Sequence, residues 1–248
     1  MKAPDAADSL RSMAWDFREI ALATAQGLRE RAEAIDAEQA VHGLDQLREI
    51  DLHEPVAQGL AQTGRGVLRE VPFPGTDPGH RGDRPQRRDR LRCDLVLTPE
   101  PGQRLADPIE QIVEADRAAG GLFEARSLGD APAGLPATEA CWLELKAGGR
   151  AHLAGGWAAP ARDYGSTLKT CLADIAKLAE EGDVREGGLL LVVFGPEERY
   201  ARESVEGVVH AALDASMPVA SPEHEGFEIN DRIGNTWCGV GLIPVRTP

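Results

Sequence analysis

The chain has 248 residues, of which 42% are hydrophobic and 27% are charged, a composition that is typical of a globular protein and excludes general disorder. The formal net charge of −14 argues against a broad affinity for polyanions, because non-specific binding of nucleic acids depends on positive surface potential. The four cysteines are scattered and form no C-x-x-C pair, so free thiols are favoured over a zinc site or a set of disulfides. Because the chain has neither a long apolar run nor the apolar centre of a signal peptide, we expect a soluble, cytoplasmic protein.

The N-terminal quarter of the chain is predicted to be helical. Apolar residues recur at helical spacing in residues 8–35, where Asp8 or Ser9 can act as the N-cap. A second helical region covers roughly residues 37–62, and we expect an interruption near Asp51.

The hydrophobic period changes after Gly64, which would end the second helix. Residues 66–74 and 91–99 are short apolar runs bounded by Gly and Pro, and they are predicted to be two strands of a hairpin. Residues 99–138 are polar and contain one predicted helix, so we interpret them as an insertion between neighbouring strands. Residues 141–147, with the sequence CWLELKA, are predicted to be the third strand.

The C-terminal part of the chain alternates helices and strands. Residues 166–182 predict an amphipathic helix capped by Ser166, and residues 187–195 are continuously apolar, as in a strand that is buried on both faces. A further helix is predicted for residues 196–216, and a final edge strand for residues 236–245. This order predicts an α/β protein whose mixed central sheet is flanked by helices.

One segment reverses the acidic balance of the chain. Residues 80–92 carry a net charge of +4, because two aspartates are outnumbered by Arg81, Arg84, Arg87, Arg88, Arg90 and Arg92. The Gly and Pro content of the segment fits a solvated loop, whereas its charge fits a loop that binds phosphate groups. The sequence leaves both interpretations open.

Three charged side chains are predicted to meet on one face of the sheet. Glu144 and Lys146 are two residues apart and therefore share a face of their strand, while Asp94 lies in the apolar strand before it. If the two strands pair with their apolar faces together, all three converge. Two carboxylates and a backbone carbonyl suit a hard divalent cation such as Mg²⁺, and an ammonium beside them can orient or deprotonate a water molecule. The alternative is an ordinary ion pair on a solvated sheet face.

Asp94, followed by E-L-K at residues 144–146, on strands of a helix–strand–strand–strand–helix–strand core, resembles the PD-(D/E)xK nuclease superfamily. The resemblance covers roughly residues 50–195 and implies a restriction-endonuclease-like fold, with residues 50–248 as the core domain and residues 1–49 as an N-terminal helical extension. The chain departs from the family pattern in having Cys93 where the motif has proline, and in its long insertion.

The resemblance also implies roles for individual residues. Asp94 and Glu144 would bind Mg²⁺ together with the carbonyl oxygen of Leu145, and Mn²⁺ would substitute for Mg²⁺. Lys146 would position the attacking water molecule.

Accessory residues are less closely specified by the resemblance. Many members add a glutamate from the helix before the first strand, for which Glu54 is the match and Glu70 a competing candidate. The helix after E-x-K often adds a polar residue, and Lys169, Asp174 or Lys177 could take this place.

The function that the resemblance implies is Mg²⁺-dependent hydrolysis of phosphodiester bonds, with DNA as the expected substrate. The arginine-rich segment would hold the nucleic acid backbone, and a homodimer or a partner protein would supply recognition. The alternative is a catalytically inactive member of the fold that acts as a binding or assembly subunit, which the acidic net charge favours.

Overall fold

The computed structural model describes residues 15–74, 91–106, 134–149, 151–154, 157–160 and 164–246. The helices in these ranges are α1 (Phe17–Ala37), α2 (Glu49–Ala61), α3 (Tyr164–Glu180) and α4 (Glu198–Asp214), with 3₁₀ turns at Leu44–Gln46 and Ala137–Glu139. The strands are β1 (Gly66–Pro72), β2 (Arg92–Thr98), β3 (Cys141–Gly149), β4 (Ala151–Ala154), β5 (Trp157–Pro160), β6 (Glu186–Gly195), β7 (Glu223–Glu228) and β8 (Trp237–Arg246). None of the described helices is long and apolar enough to cross a membrane.

Six strands form a mixed sheet in the order β1-β2-β3-β6-β8-β7, which confirms the predicted α/β class with helices around a central sheet. β1 and β2 are antiparallel, as predicted, and β2 is antiparallel to β3. β6 is parallel to β3, so α3 lies in the crossover connection that a parallel pair requires. β4 and β5 form a separate two-stranded sheet.

Apolar side chains fill the space on both faces of the large sheet. α1 and α2 cover one face, where Leu28 and Leu60 belong to the same buried cluster as Leu143. α3 and α4 cover the other face with side chains that include Ile175 and Val205. β6 is buried along nearly its whole length, as its continuous apolar sequence predicted.

The start of α1 is set by a side-chain cap. The Asp16 carboxylate accepts hydrogen bonds from the backbone N–H groups of Arg18 and Glu19, at 3.0 and 3.1 Å. The caps predicted from the sequence, Asp8 and Ser9, lie outside the described residues.

α2 is continuous, and the interruption predicted near Asp51 is wrong. Asp51 lies in the first turn of the helix, where a carboxylate interacts favourably with the helix dipole, and it pairs with Arg48 at 2.7 Å. The helix ends shortly before Gly64, whose φ of +79° fits the predicted stop.

α1 and α2 approach each other closely at two glycines. A Cβ atom at Gly27 would lie 2.2 Å from the carbonyl oxygen of Pro55, and one at Gly59 would lie 2.2 Å from that of Ala23. This contact between backbones fixes α2 against α1, and α2 carries two residues of the candidate site.

Two further predictions are wrong, namely that β8 is an edge strand and that Ser166 caps α3. β8 was predicted to be an edge strand, but it lies between β6 and β7 and is antiparallel to both. The edge strand is β7, which escaped prediction because Phe227 is its only large apolar residue. α3 begins at Tyr164, so Ser166 lies inside the helix and is not its N-cap.

Candidate functional site

The pairing of β2 with β3 ends beside the predicted acidic residues. The ladder covers three residue pairs and stops at Leu95↔Leu143, although the same register would place Asp94 opposite Glu144. Asp94 Oδ2 instead accepts a hydrogen bond from the backbone N–H of Leu145, at 2.8 Å. The carboxylate thus joins the two strands where the backbone ladder no longer does.

Cys93, the residue before Asp94, is buried beside the β2–β3 pairing. Its buried thiol contacts the carbonyl oxygens of Leu143 and Leu95, at 3.3 and 3.4 Å. Burial raises the pKa of this thiol well above its usual range, so the group stays protonated and can donate to these carbonyls. Cys93 therefore also connects β2 with β3.

Both strands of the β1–β2 pair change face at the position of Asp94. Val67 packs on the α1/α2 side of the sheet, whereas Val71 packs on the α3/α4 side. Glu70 lies between them and has a φ of +53°, which is uncommon for a residue other than glycine. The register of β1 with β2 continues on either side, so Glu70 lies opposite Asp94.

A histidine of α2 completes a potential metal-binding group. Each of His53, Glu70 and Asp94 offers a ligand atom within 4.8 Å of the other two, and we call these residues the Asp94 cluster. His53 is only 3% exposed, and its Nδ1 atom is buried without a hydrogen-bond partner among the described residues. A buried imidazole nitrogen of this kind is a candidate metal ligand, because an unsatisfied polar atom is costly to bury.

Lys146 lies next to the Asp94 cluster and is held by acidic side chains from both layers of helices. Its Nζ atom lies 3.3 Å from Glu49 of α2 and 3.1 Å from Asp174 of α3. It also donates to the carbonyl oxygen of Leu145 at 2.9 Å, and Glu49 accepts a second bond from the N–H of Ala147. Burial lowers the pKa of Lys146, but the charges of Glu49 and Asp174 outweigh this effect and raise it.

Glu144 is buried and faces a second lysine. It is 2% exposed, and the Nζ atom of Lys177 lies 2.5 Å from its Oε1 atom. Burial raises the pKa of Glu144 to about 8, although the bond from Lys177 lowers it; the nearby carboxylate of Asp94 adds to the rise. Lys177 also donates to the carbonyl oxygen of Arg92 at 3.2 Å. Lys146 and Lys177 are called the lysine pair below.

The structure thus brings together most of the residues that the sequence suggested. Around the cluster and the lysine pair lie five carboxylates, namely Glu49, Glu70, Asp94, Glu144 and Asp174. The carbonyl of Leu145 accepts a hydrogen bond from Lys146. Burial keeps Glu144 largely protonated at neutral pH, since its pKa is about 8. Among the described residues, the other four carboxylates still outnumber the two ammonium groups and the guanidinium of Arg92, a balance that favours an additional cation.

Glu54 and Lys169 are placed elsewhere. The Glu54 carboxylate is 59% exposed and pairs with Arg69, and its position is about 140° around α2 from Glu49. The carboxylate of this helix that reaches Lys146 is therefore Glu49. Lys169 is exposed on α3, in contrast to Lys177 on the same helix.

The structure describes only the last two residues of the arginine-rich segment, Leu91 and Arg92. Arg81, Arg84, Arg87, Arg88 and Arg90 lie outside the described residues. Arg92, at the start of β2, donates to the carbonyl oxygen of Glu70, a member of the Asp94 cluster.

Sequence reasoning missed His53 and Glu49. A single histidine in an apolar helix is usually a core residue, and Glu49 precedes the interruption that was predicted in this region. The signal that could have found them is their i, i+4 spacing, which places both on one face of a helix just before the first strand.

Comparison with known proteins identifies no relative, since the chain matches no protein-family model, no curated protein and no solved structure. The functional argument therefore depends on the geometry of the site.

Proposed function

We propose that this protein is a divalent-metal-dependent nuclease of the PD-(D/E)xK type that hydrolyses phosphodiester bonds, with DNA as the expected substrate. The observation that carries the proposal is the convergence of His53 and Glu70 on Asp94, at the point where β2 leaves β3 and beside Lys146.

The order of elements supports the proposal. A helix (α2), three antiparallel strands (β1, β2, β3), a crossover helix (α3) and a parallel strand (β6) occur in the order of a restriction-endonuclease-like core, with the small β4–β5 sheet inserted between β3 and α3. In this arrangement the acid of β2 and the E-x-K sequence of β3 lie at the opening between two adjacent strands.

The residues present fit a divalent cation. One imidazole nitrogen and two carboxylates within 4.8 Å of one another form a suitable donor set, and the unsatisfied Nδ1 atom of His53 is consistent with a missing ligand. His53, Glu70 and Asp94 would hold the ion. Carboxylates suit Mg²⁺ and Mn²⁺, whereas imidazole suits later transition metals, so the mixed set favours Mn²⁺ over Mg²⁺. A bound divalent cation would lower the pKa of a water molecule and offset negative charge on the phosphate.

Lys146 would act as a hydrogen-bond donor and not as a base. Its raised pKa keeps the ammonium charged at neutral pH, and Glu49 and Asp174 fix its position from two sides. A fixed ammonium can orient a water molecule and stabilise charge that develops on a phosphate oxygen. Lys177 adds a second positive charge beside Glu144.

One observation favours the second candidate function, a catalytically inactive binding subunit. The lysine pair contacts both groups of β3 to which the resemblance gives a metal-binding role, because Lys177 pairs with Glu144 and Lys146 binds the carbonyl of Leu145. In an inactive protein, the ammonium groups of the lysine pair would occupy the positions that a metal ion takes in an active one.

The test is cleavage of supercoiled plasmid, single-stranded DNA and RNA in the presence of Mg²⁺ or Mn²⁺. We expect metal-dependent cleavage by the wild type and its loss in Asp94→Asn. Glu54→Gln is the matched control, because it removes one carboxylate charge from the same region without touching the cluster. Cleavage that survives Asp94→Asn, or no cleavage of any substrate, would contradict the proposal, and the second result would favour the inactive subunit.

A further inference from the structure

The opposite edge of the sheet presents an open strand. Among the described residues, β7 pairs only with β8 and ends the sheet. The N–H of Ile229 donates to Thr236 at 3.0 Å, so by the alternation of antiparallel pairing the backbone groups of His224, Gly226 and Glu228 point away from β8. β7 contains neither the lysine nor the proline that often protects an edge strand.

Two cavities flank this edge on opposite faces of the sheet. One of about 190 Å³ lies against α4, with Ala201 and Val205 among its lining residues. The other, of about 410 Å³, lies against α1 and includes Ala32 and Phe227. Gly226, in the middle of the exposed edge, and Trp237 of β8 line both cavities.

Gly226 is required for this shape. A Cβ atom there would lie 2.7 Å from Nε1 of Trp237 and 2.8 Å from the carbonyl oxygen of Cys238. Within the described part of the chain, the carbonyl oxygen of Gly226 receives only a long hydrogen bond, of 3.5 Å, from Arg29 of α1. An incoming backbone N–H could replace that contact.

The charges around the exposed edge indicate which kind of partner can bind there. The linings of the two cavities contain five carboxylates (Glu33, Asp36, Glu198, Glu225 and Glu228) against the two guanidinium groups of Arg29 and Arg202. Arg232, in the loop after β7, pairs with Asp36. Even when Arg232 is counted, the carboxylates outnumber the cations. A second copy of this chain would place one EHEGFE strand beside another, and like charges opposite each other destabilise a strand pair.

We propose that an extended, basic segment of a partner protein docks on this edge by adding a strand to β7. Its backbone would pair with His224, Gly226 and Glu228, and its side chains would point alternately to the two faces. The larger and more acidic cavity beside α1 suits arginine or lysine, and the smaller cavity beside α4 suits an aliphatic side chain. Three strands separate β7 from β2, so this surface is distinct from the candidate nuclease site and does not depend on it.

The probe for this proposal is a capped octapeptide of alternating arginine and valine, with alternating glutamate and valine as its control. Amide hydrogen exchange of the whole protein is measured with and without each peptide. We expect the amides of His224, Gly226 and Glu228 to exchange at least about tenfold more slowly with the basic peptide and to be unaffected by the acidic one.

Variants separate strand pairing from general attraction between charges. Glu228→Lys should weaken binding of the basic peptide at least about fivefold, whereas Glu203→Lys, an equal charge change on α4 away from both cavities, should not. His224→Pro, which removes one outward N–H that an edge strand can spare, should also weaken binding. The proposal would be overturned if Glu203→Lys weakened binding as much as Glu228→Lys does. It would also be overturned if these amides were already protected in the free protein at low concentration, or if their protection rose with protein concentration through dimerisation.

Discussion

The Nζ atom of Lys177 lies 2.5 Å from the carboxylate of Glu144, a side chain that is only 2% exposed. The pair connects α3 with β3, and the carboxylate of Asp94 acts on Glu144 from nearby. Burial disfavours the charged form of Glu144 while the ammonium favours it, and burial is the stronger of the two effects, since the pKa of Glu144 is raised to about 8.

Glu144 should therefore make the stability of the protein depend on pH. Between the ordinary pKa of 4.5 and about 8, the folded protein holds a proton that the unfolded chain has lost, so the contribution of Glu144 to stability falls as pH rises. In the presence of a chelator, the free energy of unfolding of the wild type relative to Glu144→Gln should fall by on the order of 3 kcal/mol from pH 5 to pH 9. Denaturant titrations at several pH values measure this difference. A constant difference would mean that Glu144 is ionised throughout.

The Asp94 cluster predicts a specific response to metal ions. If His53 supplies a nitrogen ligand as proposed, Mn²⁺ should bind more tightly than Mg²⁺, and His53→Gln should weaken Mn²⁺ binding by about tenfold or more. Isothermal titration calorimetry with each metal measures both effects. Glu54→Gln, one residue further along α2, is the control and should bind Mn²⁺ as the wild type does. Equal affinities of His53→Gln and Glu54→Gln would remove His53 from the site.

Glu49 is predicted to be a positioning residue that acts through Lys146. Glu49→Gln removes one of the two carboxylates that hold the ammonium, so kcat should fall about tenfold while KM for the nucleic acid changes little. The pKa of Lys146 should also decrease, which NMR titration of the lysine can detect. An unchanged lysine pKa with lower activity would point to a structural role for Glu49 instead.

The close approach of α1 and α2 should be sensitive to one added methyl group. Gly59→Ala places a Cβ atom 2.2 Å from a backbone carbonyl oxygen, which cannot move as a flexible side chain can, so we expect a loss of roughly 2–3 kcal/mol of stability. Gly182→Ala is the control, because no atom lies within 4 Å of the added Cβ there. The stabilities of both variants are compared with that of the wild type by thermal unfolding. If Gly59→Ala unfolds like the wild type, the two helices are not packed as closely as described.

The sequence was most informative where hydrophobic periodicity is strong. β1, β2, β3 and β6 are short apolar runs between turn residues, and their positions were predicted to within one or two residues. The alternation of side chains in a strand placed Asp94 near Glu144 and Lys146, but the predicted common face is not what the structure has. Asp94 groups with His53 of α2, whereas Glu144 pairs with Lys177 of α3. β7 was missed because an acidic edge strand with one large apolar residue has no such pattern.

The helical part of the site could not be predicted because it depends on the phase of α2. Glu49, His53 and Glu54 are close in sequence, but which of them faces the sheet is fixed only when the start of the helix is known. The expected break at Asp51 separated Glu49 from the helix and left Glu54 as the apparent match. The change of face at Glu70 and Asp94 likewise depends on the local backbone conformation, which strand periodicity does not reveal.

The most direct test of the central claim is the rate of Mn²⁺-dependent DNA cleavage by Lys146→Ala, compared with Lys169→Ala as a matched loss of one lysine from the exposed surface of α3. The proposed role of Lys146 predicts a rate about a hundredfold or more below that of the wild type, with folding and Mn²⁺ binding retained, and a normal rate for Lys169→Ala. Equal rates for the two variants would show that Lys146 is not part of an active site.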